Sequence, residues 1–149
     1  MKGRIEQLKE LSLEEWQLLL FASVLLPVVA LSLRMKGFNR TQKTLCRYLP
    51  KGLTPTKPTR AKMDDVLIVA RMVTVAADHG FYRANCLKQA LVLWWLLLRR
   101  GIKSEIVFGI PKEAFKDFNA HAWVECNGIN LSDDLNVQKK LAAFQKSSK

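Results

Sequence analysis

The stretch that decides the fold is residues 85–134, which read NCLKQALVLWWLLLRRGIKSEIVFGIPKEAFKDFNAHAWVECNGINLSDD. Cys86 stands at the start of a predicted apolar helix, His121 stands early in a predicted strand, and two aspartates close the stretch. A thiol, an imidazole and a carboxylate are the side chains that a thiol-based acyl-transfer site needs. We interpret the rest of the chain as scaffold or as a surface for a partner.

Size and composition predict a single domain over residues 1–149, large enough to bury a sizeable core. The formal net charge of +11 indicates attraction to something anionic: nucleic acid, a membrane surface, or an acidic peptide or protein. The three scattered cysteines include no CxxC pair, so we expect neither a disulfide framework nor a zinc site. We also expect no cofactor, and the odd cysteine number favours the cytoplasm.

An apolar run near the N-terminus, LLLFASVLLPVVALSL at 18–33, holds 16 residues without a charge. A membrane-spanning helix needs about 20 such residues, so the run favours a buried or interfacial helix. A membrane span stays open as the alternative. The residues before the run lack a small-residue cleavage site and make a poor secretory signal. Gly37 is predicted to stop this helix.

A basic stretch follows from Arg34 to Lys62, with nine lysines or arginines and no acid. Four of these cations recur every three or four residues and would share one helix face: Arg40, Lys43, Arg47 and Lys51. A solvated face is the first interpretation, and a docking surface for an acidic partner or lipid headgroups is the second. Nucleic acid is not expected, because no aromatic platform, KH loop or zinc module accompanies the charge.

The order of predicted elements is typical of an α+β fold. We predict a helical, basic N-terminal part over residues 1–62 and a catalytic core over residues 63–149. Asp64 and Asp65 are candidate N-caps for a helix that ends before Gly80. The next helix is apolar on all sides and belongs in the centre of the core. This helix would pack on a small antiparallel sheet. The predicted segments are a helix at 86–100, strands at 102–110, 121–126 and 129–132, and a short helical or frayed end at 141–146.

The chemistry of the stretch depends on where Cys86 and His121 fall. The first turn of a helix stabilises a thiolate, and its unpaired N–H groups can also hold an oxyanion. His121 would act as the general base, and a third residue must orient the imidazole.

The Asn-Gly turn at residues 127–128 decides which aspartate can orient His121. In a two-residue type I′ turn, His121 falls opposite Asp134. In a type I turn with a bulge at Gly128, the loop gains a residue and His121 falls opposite Asp133. Both turns accept Asn-Gly, so the residues alone leave the choice open.

The sequence resembles the lasso-peptide biosynthesis B2 proteins. These are leader peptidases of the transglutaminase-like superfamily, related to the C-terminal half of the microcin J25 maturation protease. The resemblance covers nearly the whole chain and is strongest between Cys86 and Asp134. It is carried by NCLKQALVL at 85–93, LRRGIKSEIVFGI at 98–110, AHAWVECNG at 120–128 and SDD at 132–134.

This resemblance implies a papain-like fold and mechanism with a Cys86, His121 and Asp133 triad. Asp133 matches the family's orienting position, twelve residues after the histidine, which favours the bulged turn and leaves Asp134 as the alternative. Family members cut the leader from a ribosomally made precursor peptide, and a separate ATP-dependent cyclase closes the ring. The chain has no room for the leader-recognition domain of fused relatives, so a separate B1-type recognition protein is the expected partner.

Two other functions stay open at this level. The same thioester chemistry can transfer the acyl group to an amine, as in a transglutaminase-like acyl transferase. The chain could also be a non-catalytic membrane- or partner-binding module, with peripheral membrane contact through its apolar and basic helices.

Overall fold

The computed structural model describes residues 9–80, 84–111, 121–131 and 141–147. These residues form an α+β fold in which helices pack on one antiparallel sheet, with strand order β3-β2-β1-β4. The fold class predicted from the sequence is therefore confirmed at this level. The elements are α1 (Leu13–Arg47), α2 (Arg60–His79), α3 (Cys86–Arg99), β1 (Glu105–Pro111), β2 (His121–Cys126), β3 (Ile129–Asn130) and β4 (Leu141–Ser147).

Helix α1 begins with a capping box. The Ser12 hydroxyl accepts a hydrogen bond from the Glu15 N–H at 3.3 Å, and the Glu15 carboxylate accepts one from the Ser12 N–H at 2.7 Å. Gly37 interrupts the helix with φ 75 and ψ 175, a conformation that essentially only glycine adopts. Gly37 therefore ends the first helical segment of α1, as predicted, and a second helical segment resumes after it and runs to Arg47. A hydrogen bond of 3.0 Å joins the Ser32 and Thr41 hydroxyls across this interruption.

The basic stretch lies partly on the resumed segment of α1. Arg40, Lys43 and Arg47 are exposed on that segment, as the helical spacing predicts. Lys51 lies beyond the end of the helix, which is capped at Tyr48, so the prediction of a fourth cation on the same helix is wrong.

Helix α2 begins one turn earlier than predicted. Its N-cap is Thr59, whose carbonyl accepts hydrogen bonds from the N–H groups of the first turn. Asp64 and Asp65 lie inside the helix, and their assignment as N-caps is therefore wrong. Met63 in the added turn packs against the core, which stabilises the earlier start. The helix ends at Gly80, as predicted.

Helix α3 forms the centre of the core, as its apolar sequence predicts. All residues from 90 to 98 are buried, and they join one hydrophobic cluster with residues of α1, α2 and the sheet. The Trp95 indole N–H donates a hydrogen bond of 2.8 Å to the Leu45 carbonyl and so ties α3 to α1. Burial of α3 fixes the position of its N-terminus.

The sheet contains one strand that the sequence did not predict. Residues 141–147 form β4 and pair antiparallel with β1, where a helical or frayed end was expected. Strand β1 pairs with β2 along one edge only, so its other edge offers N–H and C=O groups for pairing. Tertiary pairing of this kind overrides a weak local preference.

The Asn-Gly turn between β2 and β3 has the type I′ conformation. Asn127 and Gly128 have φ 52 and φ 76, and Cys126 pairs with Ile129. The bulged turn that the family spacing favoured is therefore wrong. The type I′ twist matches the right-handed twist of the strands, and the Asn127 amide donates a hydrogen bond of 3.1 Å to the Pro58 carbonyl.

Truncation of a core leucine in α3 tests whether this helix holds the fold together. Leu91 is fully buried, so we expect Leu91→Ala to lower the free energy of unfolding by about 2–5 kcal/mol. Leu67 on α2 is 50% exposed and supplies the matched control, with an expected loss below about 1 kcal/mol for Leu67→Ala. Urea unfolding followed by circular dichroism measures both changes. Equal losses would contradict a core centred on α3.

Candidate active site

Cys86 is the first residue of α3, directly after the N-cap Asn85. The Asn85 side-chain oxygen accepts a hydrogen bond of 3.3 Å from the Lys88 N–H, which satisfies one of the unpaired donors of the first turn. The remaining N–H groups and the positive end of the helix dipole lie close to the thiol. The helix therefore begins where a thiolate is most easily stabilised.

His121 is the first residue of β2, and its imidazole lines the same cleft as the Cys86 thiol. Hydrogen bonding to His121 and to the Ala122 backbone acts to lower the pKa of this thiol. Strand β2 reaches this position because it packs on α3 through Ala122 and Val124. Two residues that are 35 positions apart in the sequence are thus joined by the packing of one helix on one strand.

The environment of Cys86 favours its thiolate. The hydrogen bond with His121 is the main cause that lowers the pKa of the Cys86 thiol, and partial burial opposes it. The backbone N–H of Ala122, the charge of His121 and the backbone N–H of Leu87 lower this pKa further. A thiol with a lowered pKa is the form that attacks carbonyl carbons at neutral pH.

An indole ring supports the imidazole from the side. Trp123 stacks on His121 with ring centroids 6.0 Å apart and an interplanar angle of 26°. Trp123 is only 4% exposed, so it excludes water from that side of the imidazole. The Trp123 indole N–H donates a hydrogen bond of 3.1 Å to the Glu125 carboxylate, which holds the ring in place.

An open cleft of about 240 Å³ brings Cys86 and His121 to the surface. Its walls come from α2, α3 and β2. Three polar side chains that were not predicted from the sequence also line the cleft: Thr74, Asp78 and Gln89. Gln89 could have been found, because it lies one helical turn after Cys86 and so shares its face. Thr74 and Asp78 could not, because they reach the cleft through the packing of α2 on α3.

The Gln89 side chain also braces the chain ahead of the thiol. Its amide N–H donates a hydrogen bond of 2.9 Å to the Ala84 carbonyl, in the segment that leads into α3. This contact fixes the backbone before the N-cap.

The third predicted site residue, Asp133, and its alternative, Asp134, both lie outside the described residues. The described hydrogen bonds between β2 and the segment that begins with β3 end at Leu131. The Leu131 N–H donates a hydrogen bond of 2.9 Å to the Val124 carbonyl.

The other cysteines lie away from this site. Cys126 is buried in the core, its thiol donates a hydrogen bond of 3.5 Å to the Lys103 carbonyl, and burial raises its pKa. Cys46 is half-buried against the same core. Within the described part of the chain, no cluster of three metal-ligating side chains occurs.

The pH dependence of alkylation tests the lowered pKa of Cys86. An ordinary thiol has a pKa of about 8.5, so we expect Cys86 to react with iodoacetamide well below that pH. His121→Ala removes the largest stabilisation of the thiolate, and the alkylation midpoint should therefore move up in pH. Peptide mass spectrometry identifies the modified cysteine, and Cys86→Ala supplies the background from the other two thiols. An alkylation midpoint at the same pH in His121→Ala and in the wild type would contradict the assignment of His121 as the group that lowers the pKa of Cys86.

A sequence comparison agrees with this geometry. The transglutaminase-like superfamily profile matches residues 25–149, a range that contains the candidate site and the described parts of the sheet. Comparisons with curated proteins and with solved structures gave no match. Because the profile covers well over half of the sequence, the chain belongs to the transglutaminase-like superfamily.

Proposed function

We propose that this protein is a cysteine peptidase that removes the leader peptide from a ribosomally synthesised lasso-peptide precursor. The observation that carries the proposal is the placement of the Cys86 thiol and the His121 imidazole in one open cleft, with the thiol at a helix N-terminus and its pKa lowered chiefly by His121. The superfamily includes cysteine peptidases and acyltransferases, so the reaction begins with a thiolate in either case. The resemblance to the lasso-peptide B2 proteins supplies the substrate class.

In the proposed mechanism, the Cys86 sulfur attacks the carbonyl carbon of the last leader residue. A carbon–sulfur bond forms, and N–H groups at the start of α3 hold the oxyanion. The carbon–nitrogen bond then breaks, and His121 gives its proton to the leaving amine of the core peptide. His121 next takes a proton from a water molecule, whose oxygen attacks the thioester carbon. The carbon–sulfur bond then breaks, the leader leaves as a carboxylic acid, and His121 returns the proton to the Cys86 sulfur.

The role of the third residue is to orient His121 and stabilise its charged form. We assign this role to Asp133, from the twelve-residue spacing that the resemblance implies. A bulged turn would have favoured Asp133, and a type I′ turn favours Asp134. The type I′ turn in the structure therefore gives no support to Asp133, and the assignment depends on the spacing alone. Substitution of each aspartate distinguishes the two assignments.

The proposed partners follow from the substrate. The peptidase works in the cytoplasm on the leader region of the precursor, together with a separate B1-type recognition protein. A lasso cyclase then acts on the freed core. The cleft of about 240 Å³ is open, which suits a peptide lying across it.

Acyl transfer to an amine is the second candidate function. The same Cys86 thioester can be resolved by an amine in place of water, and the superfamily holds enzymes of both kinds. Product mass separates the two reactions. Hydrolysis adds one water across the cut bond, whereas transfer leaves an adduct on the acyl part.

Leader release tests the proposed function directly. The purified protein, the recognition protein and the precursor are mixed, and the leader is followed by mass spectrometry. We expect Cys86→Ala to lower the rate by about 10³-fold or more, because it removes the nucleophile. The matched control Cys46→Ala should retain the wild-type rate, since Cys46 only packs against the core. Undiminished cleavage by Cys86→Ala would refute the mechanism, and no leader release by the wild type would favour a non-catalytic binding module.

Paired substitutions identify the orienting aspartate. We expect Asp133→Asn to lower the leader-release rate by about 10²–10⁴-fold, because the imidazole loses its orienting carboxylate, as in other triads. Asp134→Asn should leave the rate nearly unchanged. The opposite pattern would transfer the role to Asp134, and two unaffected variants would rule out an aspartate from this pair.

A further inference from the structure

Helix α1 exposes a continuous apolar face. Large apolar side chains recur along it every three or four residues, and their exposed fractions run from 40% for Trp16 to 78% for Leu13. Helical spacing places them on one side of α1, opposite the side that is buried against the core. We call this surface the apolar face of α1; it comprises Leu13, Trp16, Leu20, Phe21, Val24, Val28, Leu31 and Met35.

The size and composition of this face are unusual for a surface in contact with water. It extends over residues 13–35, about 33 Å along the helix axis. Gln17 and Arg34 are the polar residues that helical spacing places within it. An exposed apolar stripe of this length marks a site of association.

The buried side of α1 fixes how the helix can meet a membrane. By length and composition α1 could cross a bilayer, and 22% of its most apolar 18-residue segment is buried within the protein. However, Ala22, Leu26 and Val29 pack in the same cluster as α2 and α3. A crossing orientation would pull these residues out of the core. The helix can therefore meet a bilayer by lying along its surface with the apolar face down.

A set of exposed cations follows the apolar face in the sequence, on both sides of Gly37. Arg34, Lys36, Arg40, Lys43 and Arg47 are all exposed, and no acidic residue occurs between positions 34 and 62. We call these five residues the basic end of α1. An apolar stripe followed by clustered cations is the combination that binds anionic bilayers.

Aromatic side chains frame the same surface. Trp16 lies near the start of α1 and is 40% exposed, and Tyr48 caps its end and is 74% exposed. Tryptophan and tyrosine favour the boundary between headgroups and acyl chains, because their rings are apolar and carry a polar group.

An apolar cleft of about 370 Å³ opens beside this face, between the two segments of α1 and α3. Val28 of the apolar face, Tyr48 and Trp95 line it. The Arg99 guanidinium also lines the cleft and lies 5.4 Å from the Phe21 ring and 5.5 Å from the Trp95 ring. The cleft thus combines apolar walls with a fixed cation, which suits a lipid chain and its anionic headgroup.

We propose that the apolar face and the basic end of α1 dock the protein on the surface of an anionic lipid bilayer. Lipid fits better than a protein partner, because the apolar face offers almost no side-chain hydrogen bonds and a protein interface needs about one per 100–200 Å². A second copy of the chain fits poorly, since it would bring like charges together in a molecule of net charge +11.

Vesicle flotation tests the apolar part of the surface. The full chain is mixed with vesicles of phosphatidylcholine and phosphatidylglycerol, or of phosphatidylcholine alone. We expect binding to the anionic vesicles that weakens as salt is raised. Leu31→Asp should weaken it about tenfold or more. The matched control Leu67→Asp, at a leucine exposed on α2, should bind like wild type, and circular dichroism checks that both variants fold.

Charge reversal tests the basic part at constant net charge. Arg40→Glu with Lys43→Glu and the control Arg71→Glu with Lys103→Glu each lower the formal charge from +11 by two units per substitution, to +7. We expect the first pair to weaken binding by about fivefold or more per cation, and the control pair to have a smaller effect. Equal losses would show attraction by total charge only and would overturn the proposal.

Two further outcomes would also overturn it. One is failure of wild type to float with the anionic vesicles. The other is a dimer in buffer that Leu31→Asp converts to a monomer without a change in flotation, which would assign the face to a second copy. Cys86→Ala should float like wild type, so the outcome does not depend on the proposed peptidase activity.

Discussion

The site depends on the packing of one apolar helix against one strand. Because residues 90–98 of α3 are all buried, the helix has a single position in the core, and its first residue, Cys86, is held at the edge of the sheet. Strand β2 lies on that helix and begins with His121. The meeting of these two side chains in one cleft is a consequence of core packing, and His121 lowers the pKa of the thiol that the proposed chemistry uses.

Much of this arrangement could be predicted from the sequence, since local signals determine it. The apolar run after Cys86 permits no solvent-facing side, so the central helix and the place of the thiol at its start follow directly. The strand character of residues 121–126 and the Asn-Gly turn likewise depend on near neighbours. The resemblance then joined these pieces to the transglutaminase-like superfamily, which the profile match shows.

The parts that failed depend on contacts between distant segments. The pairing of β4 with β1 follows from an open strand edge, which no local pattern in residues 141–147 reveals. Asp78 reaches the cleft only through the packing of α2 on α3. The choice between two turns was decided by backbone geometry at Asn127 and Gly128, for which the residues allow either answer.

The proposed reaction passes through a covalent acyl-enzyme at Cys86, and trapping with hydroxylamine tests for this intermediate most directly. Leader release is run with the recognition protein and the precursor in the presence of hydroxylamine, and the leader product is identified by mass spectrometry. A thioester at Cys86 predicts a leader hydroxamate from the wild type and none from Cys86→Ala. A leader that always emerges as the free acid, at the same rate in both proteins, would contradict the account.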